Sequence, residues 1–364
     1  MANNRFEIVG TIVKPKGDKE NYRVVEGVNG KTSLLNFSVK SNSNIINLNL
    51  IGFLAHDKRN RNIRAYKKSE VKGGKDEYIT FLYEDKEKYL PLLSEYSKRT
   101  FVDGNDRVEF CHDKDFIDFI QEKLELGYFE GLKVRIKGNI EYSSYMNRNN
   151  EEVQAVKYIP TKIYVVEDTV EDMAEANITM FIDDDSVIEG SAIGEMTLRG
   201  RVPYYSSKLK RKVLFDEFVE FKFEGDKAER ALRTIEKRLN LDEKEANKFN
   251  EIGFKVDIIR GSESVKLTED MLTEDERLNI ELGLMTMEDI EKEKGGGKGE
   301  FKSYNKFKGL MRGYSAGAKL TDESESDYSI KMDFDADSIF GSTEVVKDEE
   351  TIDLEDVEDD DVPF

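Results

Sequence analysis

Apolar and polar residues alternate with a period of two along several stretches of this chain, and with a helical period along a few others. Arg5 to Lys14 alternates, is rich in β-branched residues and holds Gly10 at its middle, which predicts a strand able to bend. Leu34 to Lys40 and Asn44 to Phe53 predict two more strands, joined at Ser41-Asn42-Ser43. In the second of these, Ile46, Leu48 and Leu50 share one face, and Asn47 and Asn49 the other. Lys58 to Lys75 is polar and basic, an exposed loop or hairpin, and Tyr78 to Tyr83 is a further strand. Asp85 to Arg99 has a helical pattern. Asp113 to Leu126 has a clearer one, with Phe116, Ile117, Phe119, Ile120 and Leu124 clustered, Asp113 to cap it and Gly127 to stop it. Leu132 to Tyr142 and Val153 to Val166 then restore the alternation.

Strands interrupted by a helix and then resumed match the order of an oligonucleotide-binding (OB) barrel, which carries a helix between its third and fourth strands. The expected fold is mainly β: OB-fold barrels with helical insertions, followed by disordered basic and acidic C-terminal segments. Residues 1–168 form the expected OB domain, with a helical insertion over about 84–130. An acidic linker over 169–189 leads to a second, smaller OB-like domain over 190–270. Its strands are Gly194 to Val202, Phe218 to Phe223 and Phe254 to Ile259, and its amphipathic helix is Asp226 to Leu241. A one-domain body with a helical extension is the competing reading. Beyond it come a charged helical segment over 271–293, a basic, glycine- and aromatic-rich disordered linker over 294–320, and an acidic disordered tail over 321–364.

Charge changes the picture once it is located. The formal net charge is −20, but residues 321–364 carry 18 acidic and two basic residues, so −16 of it lies there. The body is close to neutral, which permits a locally basic groove. One cysteine, Cys111, excludes internal disulfides, and two histidines with no second cysteine assemble no zinc site. No run is apolar enough to span a bilayer, so a cytoplasmic protein is expected. Gly30-Lys31-Thr32 looks like the end of a phosphate-binding loop, yet Val25 stands where that loop needs glycine and a strand follows instead of a helix. A hairpin turn at Asn29-Gly30 accounts for it better. No catalytic constellation emerges, so no enzyme activity and no cofactor are expected.

Three stretches combine cations with rings. They are Arg59, Arg61, Arg64, Tyr66, Lys67 and Lys68; Tyr142, Tyr145 and Arg148; and Tyr204, Tyr205, Lys208, Lys210, Arg211 and Lys212. Single-stranded DNA presents a phosphate rail and open base faces, and a groove lined by Lys or Arg and floored by Tyr or Phe engages both. For each ring taken alone, packing in a core or a turn is the competing role. With Trp absent, stacking falls to Phe, Tyr and His.

The chain ends Asp359, Asp360, Asp361, Val362, Pro363, Phe364 after a run of other carboxylates. This ending resembles the acidic tip of bacterial and phage single-stranded DNA-binding proteins (SSBs): a short Asp run, an aliphatic residue, then Pro-Phe. The stretch Lys133 to Val166, a strand with a mid-chain glycine leading to Tyr-Ser-Ser-Tyr and a polar loop, also looks like their later strands. An atypical body joined to a bacterial-type tip points to a phage-type member. The resemblance implies a protein that coats single-stranded DNA in replication or recombination. Its partners would be a helicase, primase, polymerase or nuclease docked on the tip. Homo-oligomers are common in that family; two barrels per chain would suit a dimer, and one interrupted barrel a monomer. Two alternatives stand beside it: an interaction adaptor whose tail mimics DNA charge, and an enzyme of DNA metabolism with an SSB-like tip.

Overall fold

In the computed structural model the first strand, β1 (Arg5–Val13), changes neighbours at Gly10. A Cβ there would stand 2.1 Å from the Lys40 carbonyl oxygen, so only glycine permits the approach. The structure describes residues 4–13, 21–146, 152–182, 186–189, 193–206, 211–239, 250–264, 272–282, 285–286, 290 and 298–311. It is mostly β, with few helices. A hairpin of β2 (Tyr22–Glu26) and β3 (Gly30–Ser41) turns at residues 27–29, and Asn42 at φ 53° turns β3 into β4 (Asn44–Ala55). Asparagine is among the few residues that accept that backbone.

Between β4 and the next long helix lies an insertion. It holds the hairpin β5 (Asn62–Lys67) and β6 (Glu77–Leu82), the single-turn helix α1 (Lys86–Tyr89), and the hairpin β7 (Arg99–Asp103) and β8 (Asp106–Phe110). The long helix α2 (Asp113–Glu125) follows, then β9 (Lys133–Met146) and β10 (Glu152–Val166). The expected helical insertion over 84–130 is thus corrected. Residues 99–110 are a hairpin because Thr100, Phe101 and Val102 pair in parallel with Lys162, Ile163 and Tyr164 of β10, and sheet partners outweigh local helical pattern.

The ladders of this half close on themselves. β1 pairs with β3, β3 with β4, β10 with β9 and β9 with β1, all antiparallel; β4 and β10 pair in parallel at Leu48 and Tyr158. Ile8, Leu35, Phe37, Ile46, Leu48, Val134 and Ile136 are buried inside, and α2 lays Phe116, Ile117 and Ile120 on the ring.

The remaining strands are β11 (Met173–Ile182), β12 (Val187–Glu189), β13 (Glu195–Ser206), β14 (Arg211–Lys222), β15 (Asn250–Ser264) and β16 (Lys298–Leu310). Helix α3 (Ala228–Leu239) sits between β14 and β15, and α4 (Glu274–Glu281) between β15 and β16. Here β11 meets β13 at Phe181 and Arg201, β13 pairs with β14, β16 with β15 and β15 with β11. β14 and β16 pair in parallel at Val219 and Asn305. The order is that of the first ring. Followed in register, Phe37 corresponds to Leu198, Leu48 to Val219, Tyr158 to Asn305, Ile140 to Ile258 and Phe6 to Ala176. Phe6 also pairs with Ala176 across β1 and β11, so an approximate twofold axis passes through that pair.

Two expectations fail here for physical reasons. The segment 169–189, expected as an acidic linker, contains β11 and β12. Its core-facing residues include the small Ala174 and Ala176, which weaken the alternation, while Glu175 is neutralised by Lys255 at 2.7 Å and by Lys308. The segment 294–320, expected as disordered, supplies β16. Phe307 stacks on Phe221 at 4.4 Å, and Asn305 is buried. The second ring therefore draws on residues 173–310, a wider span than 190–270. Within 271–293, the described helix is α4, opened by a capping box of Thr273 and Glu276. The tail over 321–364 lies outside the described residues.

A buried polar network joins the rings. Asn305 Nδ2 donates to Glu217 Oε1 at 2.7 Å, and the Tyr142 hydroxyl donates to the same carboxylate while accepting from Asn4 Nδ2 at 3.2 Å. Arg260 donates to the Tyr158 hydroxyl at 3.2 Å, to Asn305 Oδ1 at 3.4 Å and to the Tyr304 carbonyl at 2.7 Å. Burial pushes the Glu217 carboxyl up from its ordinary value, against the pull of the Arg260 guanidinium.

Two predictions follow from these contacts. Gly10→Ala should cost roughly 2–3 kcal/mol in guanidinium denaturation, because backbone rather than a flexible side chain blocks the new methyl. Arg260→Met should cost about 3 kcal/mol at pH 8, by leaving the Glu217 carboxylate buried without its cation. Because the folded Glu217 value is raised, the ionised form is the unfavourable one. Its cost is absent below the ordinary glutamate value and grows as pH rises towards the folded value. The Arg260→Met deficit should therefore shrink between pH 8 and pH 5, and Glu217→Gln in the same chain should flatten that dependence.

Candidate nucleic-acid interface

Each ring turns one two-stranded face outward through its second and third members. On the first, Thr32, Leu34, Asn36, Ser38 and Lys40 of β3 stand opposite Phe53, Ile51, Asn49, Asn47 and Ile45 of β4. Asn49 Nδ2 donates to Asn36 Oδ1 at 2.8 Å, and Ser38 Oγ to Asn47 Oδ1 at 2.7 Å. These bonds run across the pair and tie β3 to β4 through side chains. Phe53 is 50 % exposed, with Ile51 and Ile45 also open to solvent. On the second ring Arg199 stands opposite Phe218, and Arg201 opposite Asp216. Phe218 is 41 % exposed. The outward aromatic of each face is thus set by strand alternation: its neighbours in sequence, Gly52 on β4 and Glu217 and Val219 on β14, are buried.

A third outward face lies on the insertion. In the β5–β6 hairpin, Ile63 and Ala65 pair with Phe81 and Ile79 and turn inward onto Leu93. The opposite face carries Arg64 against Thr80 and Tyr66 against Tyr78. Cys111 packs beneath this hairpin, where burial pushes its thiol up to about 11, so it is a packing residue with a poorly ionised sulfur. His112 caps α2 by accepting from the Lys114 N–H. Among the described residues no three His, Cys, Asp or Glu side chains gather as metal ligands.

The sequence candidates separate into groups. Arg64, Tyr66 and Lys68 are exposed on or beside the β5–β6 hairpin. Lys67 is paired with Glu70 at 3.3 Å. Arg59 is closed onto Asp57 at 2.9 Å, and Arg61 is tied to the Ala55 carbonyl at 2.7 Å and to Glu84 at 3.1 Å, so both hold the turn after β4. Two tyrosines are corrected. Tyr142 belongs to the inter-ring network and packs on Phe215 with centroids 4.7 Å apart; burial raises its hydroxyl well above the usual range. Tyr204 is buried against the same Phe215. Neither ring is open for stacking, because each falls on the inward side of its strand's alternation. Tyr145 is half-buried opposite Val153.

Tyr205 and Lys212 are backbone register partners at the end of the β13–β14 ladder, as are Ser206 and Arg211; only the backbone of these four residues is described. Lys208, Lys210, Arg148 and the tip Asp359, Asp360, Asp361, Val362, Pro363 and Phe364 lie outside the described residues. Sequence reasoning missed Phe53, Phe218, Tyr78 and Tyr96 as open rings. For Phe53 the signal was present, since the alternation that buries Leu48 and Leu50 exposes residue 53 on the other side. For Tyr96, which stands outside any strand, no pattern pointed to it.

No helix among the described residues is long and apolar enough to cross a membrane. No curated protein matches the chain. Among solved structures, a deletion mutant of the single-stranded DNA binding protein from Thermus aquaticus is similar over 71 % of this chain and 89 % of that one, at 10 % identity and a TM-score of 0.32. That likeness is too distant to fix the fold, and the assignment rests on sequence instead. The profile of the YorF family matches residues 61–250, from the insertion to the first residue of β15 and more than half of the 364 residues, and the chain therefore belongs to the YorF family.

Proposed function

We propose that this protein is a single-stranded DNA-binding protein built on two OB-fold barrels. It coats unpaired DNA during replication or recombination and passes it to replication enzymes through its acidic tip. The observation that carries the reading is the repeated closed ring. In each, five strands pair in the OB order with a helix between the third and fourth. OB barrels bind oligonucleotides on the face of their second and third strands, and both of those faces here hold an exposed phenylalanine. Cations accompany them: Lys40 on the first, Arg199 and Arg201 on the second, with Arg211 and Lys212 at the end of the same strand pair. Stacking and phosphate neutralisation are the two terms that sequence-tolerant single-strand binding needs.

The tail fits the same reading. Its −16 charge competes with phosphates for the body's basic surfaces, and bound DNA frees Asp359 to Phe364 for a helicase, primase, polymerase or nuclease. Two barrels in one chain supply half of a four-barrel assembly, which a homodimer would complete. The chain does its work by binding, in the cytoplasm of a bacterial host, with no cofactor and no catalytic step.

Labelled oligo(dT) should bind in preference to duplex of the same length. Phe53→Ala and Phe218→Ala should each weaken it by about 5- to 100-fold, the loss of one stacked base. Equal affinity for duplex would favour an adaptor instead. Removing Asp353 to Phe364 should raise affinity at low salt and alter the slope of affinity against salt; an unchanged slope and affinity would refute tail competition.

A further inference from the structure

The insertion carries a feature that the two rings do not require. Three tyrosines, Tyr66, Tyr78 and Tyr96, meet on the outward face of the β5–β6 hairpin. The Tyr66 ring lies 5.3 Å from Tyr78 at 66° and 5.5 Å from Tyr96 at 56°. They are 43 %, 56 % and 55 % exposed. Rings gathered in this way normally cover a core, but this hairpin's core is on its other face, at Ile63, Ala65 and Phe81.

The cluster is held in place. Ser97 Oγ accepts from the Tyr66 N–H at 2.9 Å, and the Ser94 N–H donates to the Tyr66 carbonyl at 2.9 Å, which fastens the turn bearing Tyr96 to β5. The Tyr96 hydroxyl donates to Asp76, whose carboxyl is held below its ordinary value by that bond and by the Ser69 N–H. The Tyr66 backbone and the Tyr96 hydroxyl are thus anchored within the chain, which lowers the ordering cost of binding at these rings.

Charge selects the occupant. Arg64 stands on the same face, two residues from Tyr66, with no ion-pair partner among the described residues; Lys68 is exposed at the strand's end. Two acids of the hairpin loop are engaged, Asp76 by Tyr96 and Glu70 by Lys67. Open ring faces beside an unpaired guanidinium suit bases beside phosphates. A duplex hides its base faces, so the ligand is a single strand.

We infer that Tyr66, Tyr78 and Tyr96, with Arg64, form a base-stacking platform that extends the single-strand site beyond the two rings. This rests on the proposed function, and the test separates the two. An oligo(dT) of about 8 nucleotides is what one ring engages, while one of about 40 exceeds both rings. Tyr66→Ala with Tyr78→Ala, both solvent-facing, should leave thermal unfolding and short-oligomer affinity unchanged while weakening the long oligomer at least tenfold. Loss on neither length, with wild-type binding intact, overturns the platform and leaves the rings' role standing. A wild-type chain that binds no oligo(dT) overturns the reading of the rings, and the platform with it. Because the chain has no tryptophan, Tyr66→Trp provides a single reporter. Its emission should be quenched as the long oligomer saturates the protein, and emission unmoved at saturation refutes stacking at this site.

Discussion

Two strands must each serve three neighbours, and the architecture depends on how they do it. One edge of β1 runs along β9 over Arg5–Thr11. The other is divided, to β11 over Arg5–Val9 and to β3 over Thr11–Val13. β11 does the same, giving one edge to β15 and dividing the other between β1 and, at Phe181, β13. Each ring thus closes through the far part of its first strand, while the near parts pair with each other. No edge of either strand is left open along that stretch, which removes a site of unwanted pairing. Gly10 makes the division possible on β1, by letting its backbone approach Lys40 more closely than any side chain allows.

Fusing two rings in this manner brings polar groups from both into a buried junction. Glu217, Tyr142, Asn305, Tyr158, Asn4 and Arg260 satisfy one another there. Such a network adds less stability than an apolar contact of the same size, but it penalises any slip of one ring against the other, because a slip strands a buried carboxylate. The register of the rings is therefore set twice, by backbone pairing at Phe6 and Ala176 and by side chains at Glu217.

The sequence shows the strands whose buried side is large and branched, such as Asn44 to Phe53, because alternation of Ile and Leu with Asn has one reading. It hides those whose stability comes from partners. β11 faces its core partly with alanine, and β16 is lysine-rich with glycines; both are held by neighbours far away in the chain, at Lys255 and Phe221. The tyrosines repeat the lesson. Tyr66 and Arg64 are legible as an exposed pair from their polar surroundings. Tyr142 and Tyr204 look equally exposed in sequence, yet both meet Phe215 in the junction between rings that composition does not reveal. Tyr78 needs the hairpin register before it joins Tyr66.

Register also shows that the two outward faces have diverged. Asn47 of β4 corresponds to Phe218 of β14, Ser38 to Arg199 and Lys40 to Arg201. The second face has a ring and two guanidiniums at positions where the first has two hydrogen-bonded polar side chains and a single lysine. The first ring instead carries the insertion between β4 and α2, whereas β14 leads to α3 through five residues, 223–227. Besides Phe53 and Lys40 on the first face, further rings and cations stand on the hairpin that begins seven residues after β4 ends. The first face, with its Asn49–Asn36 and Ser38–Asn47 bonds, carries fewer charged side chains than the second. The tyrosine cluster on the hairpin stands beside Arg64, which has no ion-pair partner among the described residues. The twofold relation of the backbones is therefore not repeated in the chemistry of their outward faces.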